Sequence, residues 1–142
     1  MASLGENLRS FIINNANILT VLPTAASLGV VSQNHSEWDT TAPNDRIWFQ
    51  RRSQEQDLSV GGTGLLTHTF FDLECISTDI DSAIDLADVV KSELHGYNGN
   101  LGAGYAGAIF VLDHEDGYEP HNLSEDDGCH VAALDVEVIW CE

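Results

Sequence analysis

Two kinds of periodicity run through the middle of this chain and predict its framework. In the segment after Gly64, Thr69, Phe71, Leu73 and Cys75 fall on one face of an extended strand, and His68, Asp72 and Glu74 fall on the other. Immediately downstream, Ile80, Ala83, Ile84, Ala87, Val90 and Leu94 recur at helical spacing. Thr78 or Asp79 is placed to cap this helix, with Asp81 three residues after Thr78 as in a capping box. Lys91 and His95 lie near its C-terminus, where the dipole favours cations, and Gly96 supplies a stop. This strand and helix, Gly64 to Gly96, form the expected centre of the core.

The same reading extends to both ends. Ser3 and Glu6 form a capping-box pattern ahead of an apolar stripe of Leu4, Leu8, Phe11 and Ile12, which predicts a helix over 3–14. Ile18, Leu19, Val21 and Leu22 predict a further helical turn closed before Pro23. Arg46 to Arg52 reads as a strand with Ile47 and Phe49 on one face and Arg46, Trp48 and Gln50 on the other. Ser53 to Thr63 reads as a polar, glycine-rich loop that projects from a hairpin. Ala108 to Leu112 is a short apolar strand, and Asp113 to Gly128 an acidic loop. In Cys129 to Trp140, Leu134, Val136, Val138 and Trp140 point one way and Asp135 and Glu137 the other, as a sheet with one wet face requires. Tyr97 to Tyr105 is expected to be a flexible glycine connection. Residues 24–44 show no period and read as a long irregular loop, with Val30 and Val31 as a candidate short strand. The expectation is one domain over 1–142, of α+β class. It has a mainly antiparallel four-stranded sheet with helices on one face, in the order helix-strand-strand-helix-strand-strand.

Charge narrows the function. The chain carries 23 Asp and Glu against 5 Lys and Arg, a formal charge of −18. Such a surface repels nucleic acid and anionic lipid, so a groove that grips DNA by its phosphates is not expected. A solvated acidic surface, a face that must not adhere to passing DNA, and adaptation to salt all fit this composition. No apolar run reaches the roughly 20 residues of a membrane span. The N-terminus lacks the basic and apolar blocks of a signal peptide, so synthesis and retention in the cytosol are expected.

Candidate chemistry is sparse. Cys75, Cys129 and Cys141 lack Cys-x-x-Cys spacing and read as free thiols. Residues 113–127 are the best place for a metal, with Asp113, Glu115 and Asp116 before Gly117, yet neither the EF-hand pattern nor HExxH spacing is present. A small metal-binding domain or metal-dependent enzyme built on this segment is the alternative reading, against a solvated loop. The glycines after Gly96 follow a helix and lack the Lys-Ser/Thr of a phosphate loop. There is no Gly-x-Ser-x-Gly elbow, and His68 and Cys75 lie on opposite faces of one strand. No catalytic residue, metal or cofactor is expected. The few cations are more informative: Arg46, Arg51 and Arg52 flank one strand and the adjoining loop, which suggests docking of copies or of a partner, with charge balancing as the plain alternative.

The ordered series of segments resembles the small tail-completion proteins of long-tailed bacteriophages, the group of tail terminators and head–tail joining proteins. The resemblance runs from about Leu4 to Trp140. It is carried by the N-terminal amphipathic helix, the Arg46-Ile47-Trp48 strand and the glycine-rich loop. The run from Phe70-Phe71-Asp72-Leu73-Glu74-Cys75 through Ala83-Ile84-Asp85-Leu86-Ala87 to Leu94-His95-Gly96 carries it further. So do Ile109-Phe110-Val111, Tyr118-Glu119-Pro120 in an acidic stretch, and the final strand. Residues 24–44 fit least well and read as an insertion. The resemblance implies a structural virion protein of the neck, not an enzyme. It would form a homo-hexameric ring that caps the tail tube, ends its polymerisation and joins the tail to a head connector or stopper protein. DNA would pass through the lumen without specific binding, no membrane would be involved, and assembly would occur in the host cytoplasm. Arg46, Arg51, Arg52, Tyr118 and Glu119 are the expected contact residues.

Overall fold

The structure, a computed structural model, describes residues 3–23, 30–32, 45–56, 66–102, 105–119 and 129–141. Its elements in chain order are α1 (Leu4–Ile13), α2 (Ala16–Val21), β1 (Val31–Ser32), β2 (Arg46–Gln56), β3 (Thr67–Ser77), α3 (Ile80–Leu94), β4 (Asn98–Gly102), β5 (Tyr105–Glu119) and β6 (Cys129–Cys141). The strands form one sheet in the order β1-β2-β3-β6-β5-β4. Five strands pair antiparallel, and β1 adds two parallel residues on the edge of β2. The class is α+β as expected, but the sheet exceeds the four strands anticipated.

The three predicted helices form, and of the predicted capping boxes the one at α1 is present. At the start of α1, Ser3 Oγ accepts from the Glu6 backbone N–H at 3.1 Å, and Glu6 returns the bond to Ser3 N at 3.0 Å. Ser3→Ala removes half of this box and is expected to cost about 1 kcal/mol in urea unfolding. An unchanged midpoint would show that the box contributes nothing to stability. Asn15 caps α2 through Oδ1, which accepts from the N–H groups of Asn17 and Ile18. At α3 the expected capping box is absent. Asp79 is the N-cap but makes no side-chain cap bond; its carboxylate instead accepts from Ser82 Oγ at 3.0 Å. Gly96 stops the helix at φ +83°, a conformation that side chains with a Cβ rarely adopt. His95 is the C-cap residue of this helix, and its Nδ1 accepts the Val111 N–H at 3.0 Å.

One face of the sheet carries the main core. Ile47, Phe49, Phe71, Leu73, Cys75, Leu134, Val136 and Val138 pack against Leu8, Ile12, Ile18, Leu86, Val90 and Leu94 of the three helices. Phe49 and Phe71 meet edge to face at 6.0 Å. Burial, and secondarily the neighbouring Glu74 carboxylate, push the Cys75 thiol well above its ordinary range. The unfolded chain releases this proton above about pH 8.5 while the folded chain keeps it. The folded state then binds more protons, so stability falls as pH rises, by up to about 1.4 kcal/mol per unit. Comparing urea midpoints from pH 8 to 10, Cys75→Ala should show the shallower alkaline loss. Equal slopes would mean that Cys75 is ionisable in the folded protein.

Three segments differ from expectation. Ser53 to Gln56 continue β2 rather than opening a loop, and the remainder of that expected loop, 57–63, lies outside the described residues. Asn98 to Gly102, expected to be flexible, is strand β4, paired with the start of β5. Asp113 to Glu119, expected as the beginning of an acidic loop, form the second half of β5 and pair with β6 down to Glu119 opposite Cys129. Within the irregular stretch 24–44, Val31 and Ser32 form β1, and 24–29 and 33–44 lie outside the described residues.

Candidate functional site

The second face of the sheet is where the acidic residues converge. The register aligns Gln50, Asp72, Asp135 and Asp113 in one row across β2, β3, β6 and β5. The next row is Trp48, Glu74, Ala133 and Glu115. Asp72 and Glu74 reach this face by simple alternation, opposite to Phe71 and Leu73. Asp113 and Glu115 reach it only because β5 holds an irregularity between Val111 and Asp113, where Leu112 is an extra residue opposite β6. Unbroken alternation from Val111 would have turned Asp113 and Glu115 toward the helices. β2 has a matching irregularity between Arg51 and Ser53.

The result is an open groove of about 250 Å³ lined by Asp72, Glu74, Asp113, Glu115 and Asp135 with Arg52. Arg52 lies among them: its guanidinium is 3.0 Å from Asp135 Oδ1, 3.7 Å from Asp72 Oδ1, and 5.6 Å from the centre of the Phe70 ring. It is about half exposed, so each pair is worth at most about 1 kcal/mol. Its more general effect is to offset like charges placed directly opposite one another across strands, which are destabilising. Raising NaCl from 10 to 500 mM is therefore expected to raise the urea midpoint, more strongly for Arg52→Ala than for wild type, because screening replaces the lost cation. A salt-independent midpoint in both proteins would contradict this. Farther along the face, His68 is half-buried, and its Nδ1 lies 3.1 Å from Glu137 Oε1. At the other end, Trp48, Ile76 and Val131 form a second, small buried cluster.

The expected contact residues are distributed rather than gathered. Arg46 is buried against Trp48, with its guanidinium 5.6 Å from the ring. Arg51 is exposed, pairs with Phe71 in register and thus lies on the helix side; its Nη1 donates to Gln54 Oε1 at 3.4 Å. Arg52 belongs to the acidic face. Tyr118 and Glu119 are backbone-paired with His130 and Cys129 at the end of β5. The wet positions of β3 and β6 follow from alternation in the sequence, whereas those of β5 depend on the phase change at Leu112. Among the described residues no group of three or more His, Cys, Asp or Glu is arranged to hold a metal ion. No described helix is long and apolar enough to cross a membrane. Cys75 and Cys141 are free thiols.

No protein-family model matches the chain, and no curated protein matches it. Among solved structures, the fold is similar to that of a chain in a structure titled "Virion of native gene transfer agent (GTA) particle". The TM-score is 0.65 at 11% identity, over 98% of this chain and 96% of that one. At that identity the likeness concerns the fold.

Proposed function

We propose that this protein is a structural component of a phage or phage-like virion. It acts at the neck as a homo-hexameric ring that caps the tail tube, ends its polymerisation and joins the tail to the head connector or stopper protein. The observation that carries this reading is the fold match to a virion chain across nearly the full length of both. The acidic sheet face supports it. Five carboxylates against one guanidinium make a wall along which DNA slides without adhering. Among the described residues nothing supports the metal-dependent alternative: Asp113, Glu115 and Asp116 are spread along a strand instead of wrapping a loop.

Particles made without the protein test the reading. Tails of uncontrolled length identify a terminator. Full heads with detached tails of normal length place the protein on the head side of the joint. Intact particles at normal yield overturn the proposal. If the acidic face lines the lumen, Asp72→Lys and Asp135→Lys slow DNA ejection; unchanged ejection removes that face from the DNA path.

A further inference from the structure

Among the described residues the sheet has two uncovered edges, one carrying two arginines and one strongly acidic. On β2, β1 occupies only the level of Ile47 and Trp48, so among the described residues no strand covers Phe49 to Gln56. On β5, β4 pairs only as far as Ala108. Ile109 is bonded by Gly96 and Tyr97, and the Val111 N–H by His95. Among the described residues no strand covers Asp113 to Glu119. The open part of β2 bears Arg51 and Arg52, two of only five Lys and Arg in the chain, against one acidic residue, Glu55. The open part of β5 bears Asp113, Glu115, Asp116 and Glu119. Arg51 to Gln56 are exposed, as are Leu112, Asp113, Glu115, Asp116 and Gly117.

We infer that these edges dock onto each other between copies: the open half of β2 in one chain pairs antiparallel with the open half of β5 in the next, Arg51 lying opposite Asp116. This rests on the reading of the chain as a ring former and names the surface that builds the ring. Three features converge on it. β2 and β5 run in opposite directions, because three antiparallel pairings separate them. A laterally repeated copy therefore presents its β2 to β5 in antiparallel sense with the helices kept on one side. Facing is also matched. Arg51 and Asp116 both lie on the helix side, opposite Phe71 and Ala132, while Arg52 shares the other side with Asp113 and Glu115.

Apolar exposure is the third feature. The exposed large hydrophobic residues among the described residues are Leu66, Ile80 and Leu112. The register that joins Arg51 to Asp116 brings Leu112 level with the end of β2, near Leu66, which immediately precedes β3. Arg51 and Asp116 stand four residues apart along β3, at the levels of Phe71 and Cys75. Neighbouring copies are thus offset by roughly 14 Å at about 3.4 Å per residue. A stagger of this kind is what a sheet needs in order to close around an axis with tilted strands. The contact is heterologous, as a ring requires.

Disulfide capture tests this on the full chain in a Cys129→Ser/Cys141→Ser background, which leaves only the buried Cys75. Arg51→Cys combined with Asp116→Cys is expected to give, on mild oxidation, a ladder of covalent multimers that collapses on reduction. Each single variant should give no ladder, and Arg51→Cys with Asp85→Cys on α3 should give none. His114→Cys and Tyr118→Cys in place of Asp116→Cys scan the neighbouring registers on the same side. In parallel, Arg51→Glu should weaken self-association by at least about tenfold in sedimentation, and Arg51→Glu/Asp116→Arg on one chain should recover it. Rings that form without a ladder in any of the three registers overturn the edge contact and leave the ring reading standing. A chain that gives no ladder and stays monomeric at every concentration and on isolated tail tubes overturns both.

Discussion

Replacing Gly107 with alanine is expected to cost at least about 3 kcal/mol of stability. Gly107 lies opposite Trp140 in the β5–β6 ladder. A Cβ there would stand 2.0 Å from the Ile139 carbonyl oxygen and 2.8 Å from the Trp140 Cα. Both are backbone atoms of β6, which is held on its other side by β3 along eleven residue pairs from Thr67–Trp140 to Ser77–His130. No rotamer change relieves such a contact; the two strands must separate. Overpacking usually costs 1–3 kcal/mol, and this case belongs at or beyond the upper end, against a total stability of about 5–15 kcal/mol. Urea unfolding of Gly107→Ala should show a loss of at least about 3 kcal/mol or no cooperative transition at all. A midpoint near wild type would mean that β5 and β6 stand farther apart in solution.

Phe71→Ala is expected to have the second largest effect, roughly 3–5 kcal/mol. The ring is buried on the helix face, meets Phe49 edge to face, and sits in the row that continues to Val136 and Val111. The adjacent Asp72 provides the contrast. It points to the wet face, so Asp72→Ala should change stability by no more than about 0.5 kcal/mol, in either direction. The ratio of the two losses measures how strictly the two faces of β3 divide their roles. Comparable losses would contradict the assignment of faces.

The parts of this fold that could be read from the chain were those where one rule acts alone. β3 and β6 alternate cleanly because each is covered by helices on one side and open on the other. α1 shows both its capping box and its stripe. β4 was illegible because Asn98-Gly-Asn-Leu-Gly102 has no alternation and two glycines; it is a strand because β5 offers it a partner, a tertiary cause that local propensity cannot express. The second half of β5 was missed for a different reason. Asp113, His114, Glu115 and Asp116 are polar on both sides, since this length of strand extends along an open edge, and polarity without period reads as loop. The three arginines lie within one short stretch of sequence, 46–52, but are divided by the faces of β2 and by the irregularity at Arg52. Their grouping along the chain therefore does not survive in space.

Leu112 has a consequence for how this protein tolerates change in length. In most of a strand, gaining or losing a single residue turns everything beyond it over, exchanging dry positions for wet ones. At Leu112 the ladder already contains one residue too many. Removing it leaves Val111 followed directly by Asp113, which is the ordinary inward-then-outward step. Adding a second completes a full two-residue repeat. In both cases the acidic side chains keep their side; deletion removes the local bend, whereas insertion either enlarges the bulge or moves the β5–β6 register by two residues. The same count applies at Arg52 in β2. These two places are where the sheet can absorb a single-residue insertion or deletion without inverting its pattern, and where natural relatives are expected to differ in strand length.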